Sequence, residues 1–274
     1  LLFNISMKKK VLIILSAIAL ICWTLFYIYD YTRDDATKTG GDLYQTVINR
    51  GYLIVGVKTD AKPFGFIDES GANAGFDVDI AHRIAKELFH NPEKVKFVPV
   101  TNSERMYILN LNKVDMVIAT MTVTPARQHF VDFSNAYYIT GQSLLVRNGG
   151  TIRSLADLSD KNVGVIFGST AEQTIKFLLP TAHVMGYKSY QEAYRALKSG
   201  SILGIISDDA ILRSYSIKDT GVKLLTKKYS RDSYGIAFRR GDESNYMLNI
   251  VNNVISDMDN QGEFIVLKRK WQLD

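Results

Sequence analysis

Short runs rich in β-branched residues alternate with segments of helical periodicity from residue 42 onward. Leu53–Val57 is typical of a buried strand, and residues 76–89 space apolar side chains at i+4, which predicts an amphipathic helix. The alternation begins again near residue 160, and it indicates parallel sheets with helices on both faces. The sequence therefore predicts an α/β fold of two half-sized units, with a cleft between them that suits a small ligand.

The other predicted elements follow the same pattern. In the first unit we expect strands at Val95–Val100 and Asp115–Ala119, and a short helix that is capped by Ser103 and ends at Leu111. Asp77 lies in the first turn of the preceding helix, where the helix dipole favours an anion. The later elements are expected at Asn162–Ile166, Ala171–Leu179, His183–Gly186, Tyr190–Lys198, Ile202–Ile206, Val222–Leu225, Tyr234–Phe238, 244–258 and 262–271.

The N-terminal region has the pattern of an export signal. Lys8–Lys10 precede Val11–Tyr29, which carries no charge and approaches the ~20 residues that span a bilayer. Three alternatives stay open for residues 1–29: an uncleaved signal anchor, a cleaved signal peptide, and lipid attachment at Cys22. Residues 30–41 are polar and predict a tether. We expect an exported protein at the cell surface or in the periplasm, anchored by the N-terminal helix.

The charge and the motif content of the sequence exclude several classes of function. The formal net charge is +5, but from residue 30 onward 30 basic residues face 28 acidic ones, which argues against nucleic-acid binding. A single cysteine excludes a disulfide framework and a cysteine-rich metal site. Phosphate-binding, dinucleotide-binding, zinc-protease and nucleophile-elbow motifs are absent from the sequence. We therefore expect a binding protein without a cofactor, a metal or catalytic residues.

Eight landmarks in order along the chain together resemble one protein family. They are Gly51–Val57, Gly75–Asp79, Met116–Arg127, Val131–Ser134, Gly168–Thr170, Asp208, Tyr234–Ala237 and Lys270–Trp271. The stretch from about residue 43 to 272 resembles the extracellular solute-binding proteins of polar amino-acid ABC transporters.

The resemblance implies a type II fold of the periplasmic-binding-protein kind, in which two α/β lobes are joined by a hinge of two crossings. Lobe 1 would comprise residues 42–140 plus 236–274, and lobe 2 residues 141–235. The crossings would lie near Thr140–Gly141 and Ser233–Gly235. The resemblance also implies a monomer that captures an amino acid by hinge closure and delivers it to a membrane permease.

The ends of a ligand amino acid match residues at these landmarks. The planar guanidinium of Arg127 fits a carboxylate, and the resemblance implies that it binds the ligand α-carboxylate. It places Ser169 or Thr170, at a helix start, on the other side of that carboxylate. Asp208 would hold the α-ammonium, with Asp209 as the competing choice.

The loop before Arg127 follows a predicted strand. Thr120 and Thr122 put hydroxyl and backbone N–H groups at the carboxyl end of that strand, where open α/β sheets bind ligands. We therefore expect both threonines to contribute to the ligand site.

Two cations suggest the class of side chain that is bound. Lys58 follows the first strand, Arg105 opens the short helix, and a buried cation without a partner is unfavourable. With the resemblance to the glutamate/aspartate-binding subgroup, the pair favours an acidic amino acid. In the competing interpretation, Lys58 pairs with Asp60, and Arg105 pairs with Glu104 or solvent.

Phe64 and Tyr190 are candidate walls of the ligand site, with core packing as the alternative for both. Two rival functions also stay open. One is an enzyme similar to cyclohexadienyl dehydratases on the same scaffold, for which Glu172 is the nearest candidate acid. The other is a membrane-anchored amino-acid sensor.

Overall fold

A computed structural model describes Cys22, Thr24 and residues 42–273, except for the side chain of Asp242. The predicted anchor over 1–29 and the tether over 30–41 fall outside these residues, apart from Cys22 and Thr24. Among the residues that are described, no helix is long and apolar enough to cross a membrane.

Nine α-helices and fifteen strands are described, together with two 3-10 helices at Ala156–Leu158 and Asp242–Ser244. The helices are α1 Leu43–Arg50, α2 Phe76–Phe89, α3 Arg105–Asn110, α4 Pro125–Gln128, α5 Ala171–Leu178, α6 Tyr190–Ser199, α7 Asp209–Lys218, α8 Asn245–Asn260 and α9 Glu263–Lys270. The strands are β1 Leu53–Val57, β2 Asp60–Ala61, β3 Gly65–Ile67, β4 Asn73–Ala74, β5 Val95–Pro99, β6 Met116–Val117, β7 Val131–Phe133, β8 Tyr138–Thr140, β9 Gln142–Arg147, β10 Asn162–Ile166, β11 His183–Tyr187, β12 Gly204–Asp208, β13 Val222–Leu224, β14 Asp232–Tyr234 and β15 Ala237–Arg239.

Two five-stranded sheets define two lobes, which confirms the predicted α/β architecture. The first sheet has the order β5-β1-β6-β15-β7, and the second has the order β11-β10-β12-β9-β13. In each sheet the strand–helix units pair in parallel, β1 with β5 and β6, and β10 with β11 and β12. The remaining strands add antiparallel pairs, which the helix–strand alternation did not predict.

The chain crosses between the sheets twice, and the two crossings lie side by side. β8 follows the first-sheet strand β7 and precedes β9, while β14 lies between β13 and β15. β8 and β14 form their own antiparallel ribbon, in which Thr140 pairs with Asp232 and Tyr138 with Tyr234. The predicted hinge falls in this ribbon, and the lobe boundaries at 140/141 and 235/236 stay a prediction.

Helix α2 follows the predicted bounds and buries the predicted stripe. Ile80, Ala81 and Ile84 are fully buried, and the helix packs on β1, α8 and α9. Burial of such side chains is the main favourable term in folding, at ~25 cal/mol per Å² of apolar surface.

Three predicted elements differ from the structure for local reasons. The strand expected over Tyr234–Phe238 is divided, because Tyr234 pairs in the ribbon while Ala237 pairs with β6 and β7 in the first sheet. The strand expected over Asp115–Ala119 covers only Met116–Val117. The Ala119 carbonyl accepts a hydrogen bond from Arg105 instead of extending the ladder, and Thr120 has a φ of +48°. Ser103 does not cap α3, because Glu104 stands directly before the helix and its N–H donates to the Thr101 hydroxyl at 3.2 Å.

Candidate functional site

The lobes touch across the cleft at residues that the sequence singled out. Arg127 Nη2 from lobe 1 donates to the Gly168 carbonyl of lobe 2 at 2.9 Å. Asp60 Oδ2 accepts from the backbone N–H of Tyr190 at 3.1 Å, again between lobes. The described structure is therefore closed, with its two sheets joined by polar contacts that a small ligand could extend.

Arg127 is held at the cleft by its own short helix. Thr124 caps α4, because its hydroxyl accepts from the backbone N–H of Arg127 at 3.2 Å. The guanidinium then donates through Nη1 to the Thr122 carbonyl at 2.7 Å. Burial, and secondarily the positive charge of Arg105, lower the pKa of Arg127 to about 9. A second cation near Arg127 makes this part of the cleft attractive to an anion.

The loop between β6 and α4 carries both predicted threonines and is buried. Thr120 is 3% exposed and Thr122 is 5% exposed. The backbone of Thr122 forms an isolated antiparallel β-bridge with that of Tyr234. Thr120 adopts a φ of +48°, which is uncommon for a residue other than glycine. The structure therefore places both residues at the carboxyl end of β6, as the sequence predicted, with Thr120 in a strained conformation.

Ser169 and Thr170 come directly before α5 and lie near Arg127. They line, together with Arg127, an open pocket of about 420 Å³ at the mouth of the cleft. Thr170 Oγ1 accepts from Gln142 Nε2 at 2.9 Å. Ser169 Oγ is buried, and it has no hydrogen-bond partner within the described range. This side of the cleft thus contains a free hydroxyl next to the arginine fork.

Asp208 ends β12 in the same sheet that leads to Ser169 and Thr170, and thus on the lobe opposite Arg127. Its Oδ2 accepts from the Tyr234 hydroxyl at 2.5 Å, and burial raises the pKa of its carboxyl to about 6. Asp209 is already occupied, because it accepts from Thr140 and forms ion pairs with Arg213 and Lys228. This difference favours Asp208 over Asp209 as the group that is free to meet a ligand.

Lys58 and Arg105 do not form the unmatched pair of cations that the sequence suggested. Lys58 forms an ion pair with Asp60 at 2.8 Å, as the competing interpretation had it. Arg105 forms no ion pair with Glu104 among the described residues. It is 1% exposed and donates through Nη1 to the carbonyls of Ala119 and Thr120.

Both cations are nevertheless perturbed by their surroundings. Burial lowers the pKa of Lys58 and of Arg105 below their ordinary values. Arg105 Nε is buried without a hydrogen-bond partner in the part of the chain that the structure describes. Arg105 therefore keeps at least one donor available, while the charge of Lys58 is balanced by Asp60.

The two candidate walls pack as core residues. Phe64 is fully buried, with edge contacts to Phe76, Tyr138 and Tyr234. Tyr190 is 2% exposed, and its hydroxyl lies 2.9 Å from Ser207 Oγ. The contacts of Phe64 therefore agree with the alternative interpretation, in which it is a core residue.

Asp77 is a buried residue of the site. The sequence alone indicated only a favourable position for it in the first turn of a helix. Its Oδ2 accepts from the backbone N–H of Thr120 at 2.9 Å and its Oδ1 from the Tyr137 hydroxyl at 3.1 Å. Burial raises the pKa of the Asp77 carboxyl to about 7, although these bonds and the charge of Arg105 act in the opposite direction. Asp77 thus positions the strained Thr120 loop. The Gly75–Asp79 landmark is the signal that contained it.

We expect the contribution of Asp77 to stability to depend on pH. Because its folded-state pKa lies above the ordinary 3.8, this contribution is full below about pH 4 and is lost as the pH rises through about 7. A difference of one in pKa corresponds to about 1.4 kcal/mol. Relative to Asp77→Asn, the wild-type protein should therefore lose up to about 4 kcal/mol between pH 4 and 8. Urea unfolding of both proteins measures this, and a difference independent of pH contradicts it.

Glu172 does not resemble a buried acid catalyst. It forms an ion pair with Lys176 one helical turn away at 2.7 Å, and its side chain is 36% exposed. A general acid must reach the proton that it transfers, usually from a shielded position. The geometry thus gives no support to the dehydratase alternative through this residue.

Known proteins similar to the chain are amino-acid binders. It is 34% identical over 232 residues to the ABC transporter glutamine-binding protein of Bacillus subtilis, covering 84% of each chain. It is 26% identical over 249 residues to the glutamate/aspartate import solute-binding protein of Escherichia coli, covering 87% of this chain and 82% of the relative.

Solved structures agree with these relatives and confirm the type II fold. An ancestral arginine-binding protein bound to glutamine has 38% identity and a TM-score of 0.76, covering 81% of this chain and 98% of that one. An ancestral amino acid-binding protein, a precursor of cyclohexadienyl dehydratase, has 36% identity and a TM-score of 0.76, covering 83% and 98%. Residues 53–274 match the bacterial extracellular solute-binding proteins, family 3, and the chain belongs to this family.

Proposed function

We propose that this protein is the substrate-binding component of an amino-acid ABC transporter, with glutamine as its substrate and a membrane permease as its partner. The observation that carries the proposal is the placement of Arg127 and Asp208 on opposite lobes of one cleft. Burial lowers the pKa of Arg127, and the negative charge of Asp208 partly offsets this lowering, so the two groups are close enough to interact. A free α-amino acid carries the complementary pair of charges.

The ligand backbone would bridge the lobes. Its α-carboxylate would accept hydrogen bonds from the Arg127 guanidinium and from the free hydroxyl of Ser169. In the structure, the guanidinium donates to the carbonyls of Thr122 and Gly168. The α-ammonium of the ligand would meet Asp208. Because the ligand engages Arg127 of one lobe and Ser169 and Asp208 of the other, it binds the closed state more tightly than the open state and shifts the population toward closure.

The side chain of the ligand would be neutral and polar. Asp60 balances the charge of Lys58, so an acidic side chain beside this pair would be repelled by Asp60. The free Nε of Arg105 can donate to an amide oxygen. The glutamine-binding relative is also more similar to this chain than the glutamate/aspartate relative, at 34% against 26% identity.

Glutamate is the second candidate, and it corresponds to the acidic substrate that the sequence favoured. The observation that favours it is Arg105, which forms no ion pair with any carboxylate among the described residues. A ligand carboxylate would supply that partner. The export of the protein agrees with its membership of an extracellular family, while the anchor over residues 1–29 stays a prediction.

Calorimetric titration with glutamine, glutamate, aspartate, cystine and arginine tests the proposal. We expect the tightest binding for glutamine and weaker binding for glutamate. Tightest binding of glutamate or aspartate would restore the acidic substrate and keep the transport role. If none of the five binds, the proposed function is wrong.

Asp60→Asn is expected to shift this preference toward glutamate. The substitution removes the negative charge beside Lys58 and leaves a buried cation in need of an anionic partner. We expect the ratio of glutamate to glutamine affinity to rise at least about tenfold, which is about 1.4 kcal/mol. The control is Glu93→Gln, which makes the same change of net charge at a side chain that is 79% exposed. An equal ratio in both variants would contradict the assignment of Lys58 and Asp60 to this subsite.

A further inference from the structure

Gln142 lies where three parts of the ligand site meet. It is the first residue of β9, directly after the crossing at Thr140–Gly141. In the second sheet it pairs with Asp208 of the antiparallel strand β12. Directly paired residues carry their side chains on the same face, with β-carbons about 4.5–5.5 Å apart. Gln142 is therefore a cross-strand neighbour of Asp208.

The side-chain amide of Gln142 is only half satisfied. Its Nε2 donates to Thr170 Oγ1 at 2.9 Å, which ties it to the loop before α5. Its Oε1 is buried and has no hydrogen-bond partner within the described part of the chain. The whole residue is 1% exposed, so solvent does not fill the gap.

The backbone of Gln142 needs nothing from this amide. Its N–H donates to Ser230 Oγ at 2.9 Å, and its carbonyl accepts from the N–H of Tyr229 at 2.8 Å. Strand β9 is also held by ladders to β12 and β13. A buried acceptor without a partner is unfavourable, and an apolar residue would avoid the loss. The free oxygen thus has no role in holding the strand.

A ligand ammonium directs its three N–H donors in three different directions, so a single carboxylate does not face all of them. An ammonium presents three N–H donors, and Asp208 Oδ2 already accepts from Tyr234. We propose that Gln142 is a further ligand-binding residue, whose Oε1 accepts a hydrogen bond from the α-ammonium beside Asp208 while Nε2 fixes Thr170. This inference rests on the proposed amino-acid function. A neutral amide suits the position, because a second carboxylate there would repel Asp208.

The test is a cycle of variants in the full-length protein, titrated with whichever of the five amino acids binds the wild-type protein most tightly. Gln142→Leu removes the amide at similar volume, and Thr170→Val removes the hydroxyl that Nε2 contacts. A hydrogen bond to a charged group corresponds to a loss of about tenfold to a hundredfold in affinity. We expect Gln142→Leu to cause at least the tenfold loss in both the wild-type and the Thr170→Val backgrounds.

Thermal unfolding without ligand supplies the second readout. Gln142→Leu removes an unpaired buried acceptor, and in the Thr170→Val background it breaks no side-chain hydrogen bond, so the unfolding temperature of the free protein should not fall in that background. Gln142→Met keeps the unbranched shape and repeats the test if leucine packs poorly.

Three results would overturn the inference. The affinity could stay within twofold of wild type, the loss could vanish in the Thr170→Val background, or both Gln142 variants could lower the unfolding temperature of the free protein in that background as much as they weaken binding. If the wild-type protein binds none of the amino acids, the proposed function fails, and the inference fails with it. Binding by the wild-type protein with no change in either Gln142 variant removes the inference alone.

Discussion

Asp208→Asn is expected to weaken amino-acid binding by at least about a hundredfold while leaving the free protein folded. Asp208 is the carboxylate at the end of β12 that faces the cleft, and burial holds its pKa at about 6. Removing one partner of a buried, hydrogen-bonded charge pair costs about 3–5 kcal/mol, because the other charge is left unpaired. The asparagine can still accept from the Tyr234 hydroxyl, so the local packing should survive.

The same residue gives the binding constant a defined pH dependence. Only the ionised carboxylate attracts an ammonium, and in the free protein its pKa is about 6. The affinity should be constant above this pH and fall about tenfold per pH unit below it, until the lower pKa of the complex is reached. Asp208→Asn should remove this dependence. Titrations between pH 4.5 and 8 measure both effects, and the same decline in the variant would contradict the assignment.

Asp209→Asn is the matched control one residue away. Asp209 accepts from Thr140 and pairs with Arg213 and Lys228, all within lobe 2 or its crossing. Its loss should lower the unfolding temperature more than Asp208→Asn does and reduce affinity far less. The reverse result would show that Asp209 is the ligand carboxylate.

Gly168→Ala is expected to prevent closure of the cleft. Gly168 has a φ of +76°, and a β-carbon there would lie 2.7 Å from the Asn102 carbonyl oxygen and from backbone atoms of Ser103. Those atoms belong to the opposite lobe and cannot move as a flexible side chain could. Opening of the cleft would separate these atoms, so we expect the cost of this contact to fall on the closed form alone. We expect affinity to drop at least about a hundredfold and small-angle scattering to show no compaction when ligand is added.

Gly149→Ala is the control that separates the effect of the contact between the lobes from the effect of backbone strain. Gly149 has a φ of +74°, nearly that of Gly168, but a β-carbon there would meet nothing within 4 Å. A left-handed conformation costs an L-residue about 1–2 kcal/mol, and both variants bear this cost. Gly149→Ala should therefore lose some stability and keep wild-type affinity. Equal loss of affinity in the two variants would contradict a role for close contact between the lobes.

Local pattern was sufficient for the elements that bury one periodic face. Helix α2 and strands β1 and β10 have the predicted bounds, because their apolar spacing and β-branched content are properties of neighbouring residues. The two-residue strand β6 was overestimated. Its end is set by Arg105, whose bond to the Ala119 carbonyl joins residues 14 apart in sequence.

The charged part of the site depended on contacts that a single sequence does not display. Lys58 and Asp60 were both visible, but the choice between a ligand and Asp60 as partner of Lys58 needed the fold. Asp77 reaches Thr120 across 43 positions, and Gln142 meets Asp208 through a strand pairing that antiparallel topology alone creates. Burial without a partner, the observation that singles out Gln142 and Arg105, is a tertiary property.

A crystal structure of the protein with glutamine bound would show directly whether the ligand bridges the two lobes. We expect one molecule in the cleft between the lobes, with its α-carboxylate on Arg127 and its α-ammonium on Asp208. Glutamine in the opposite orientation, or bound at a site that touches only one lobe, would contradict this expectation.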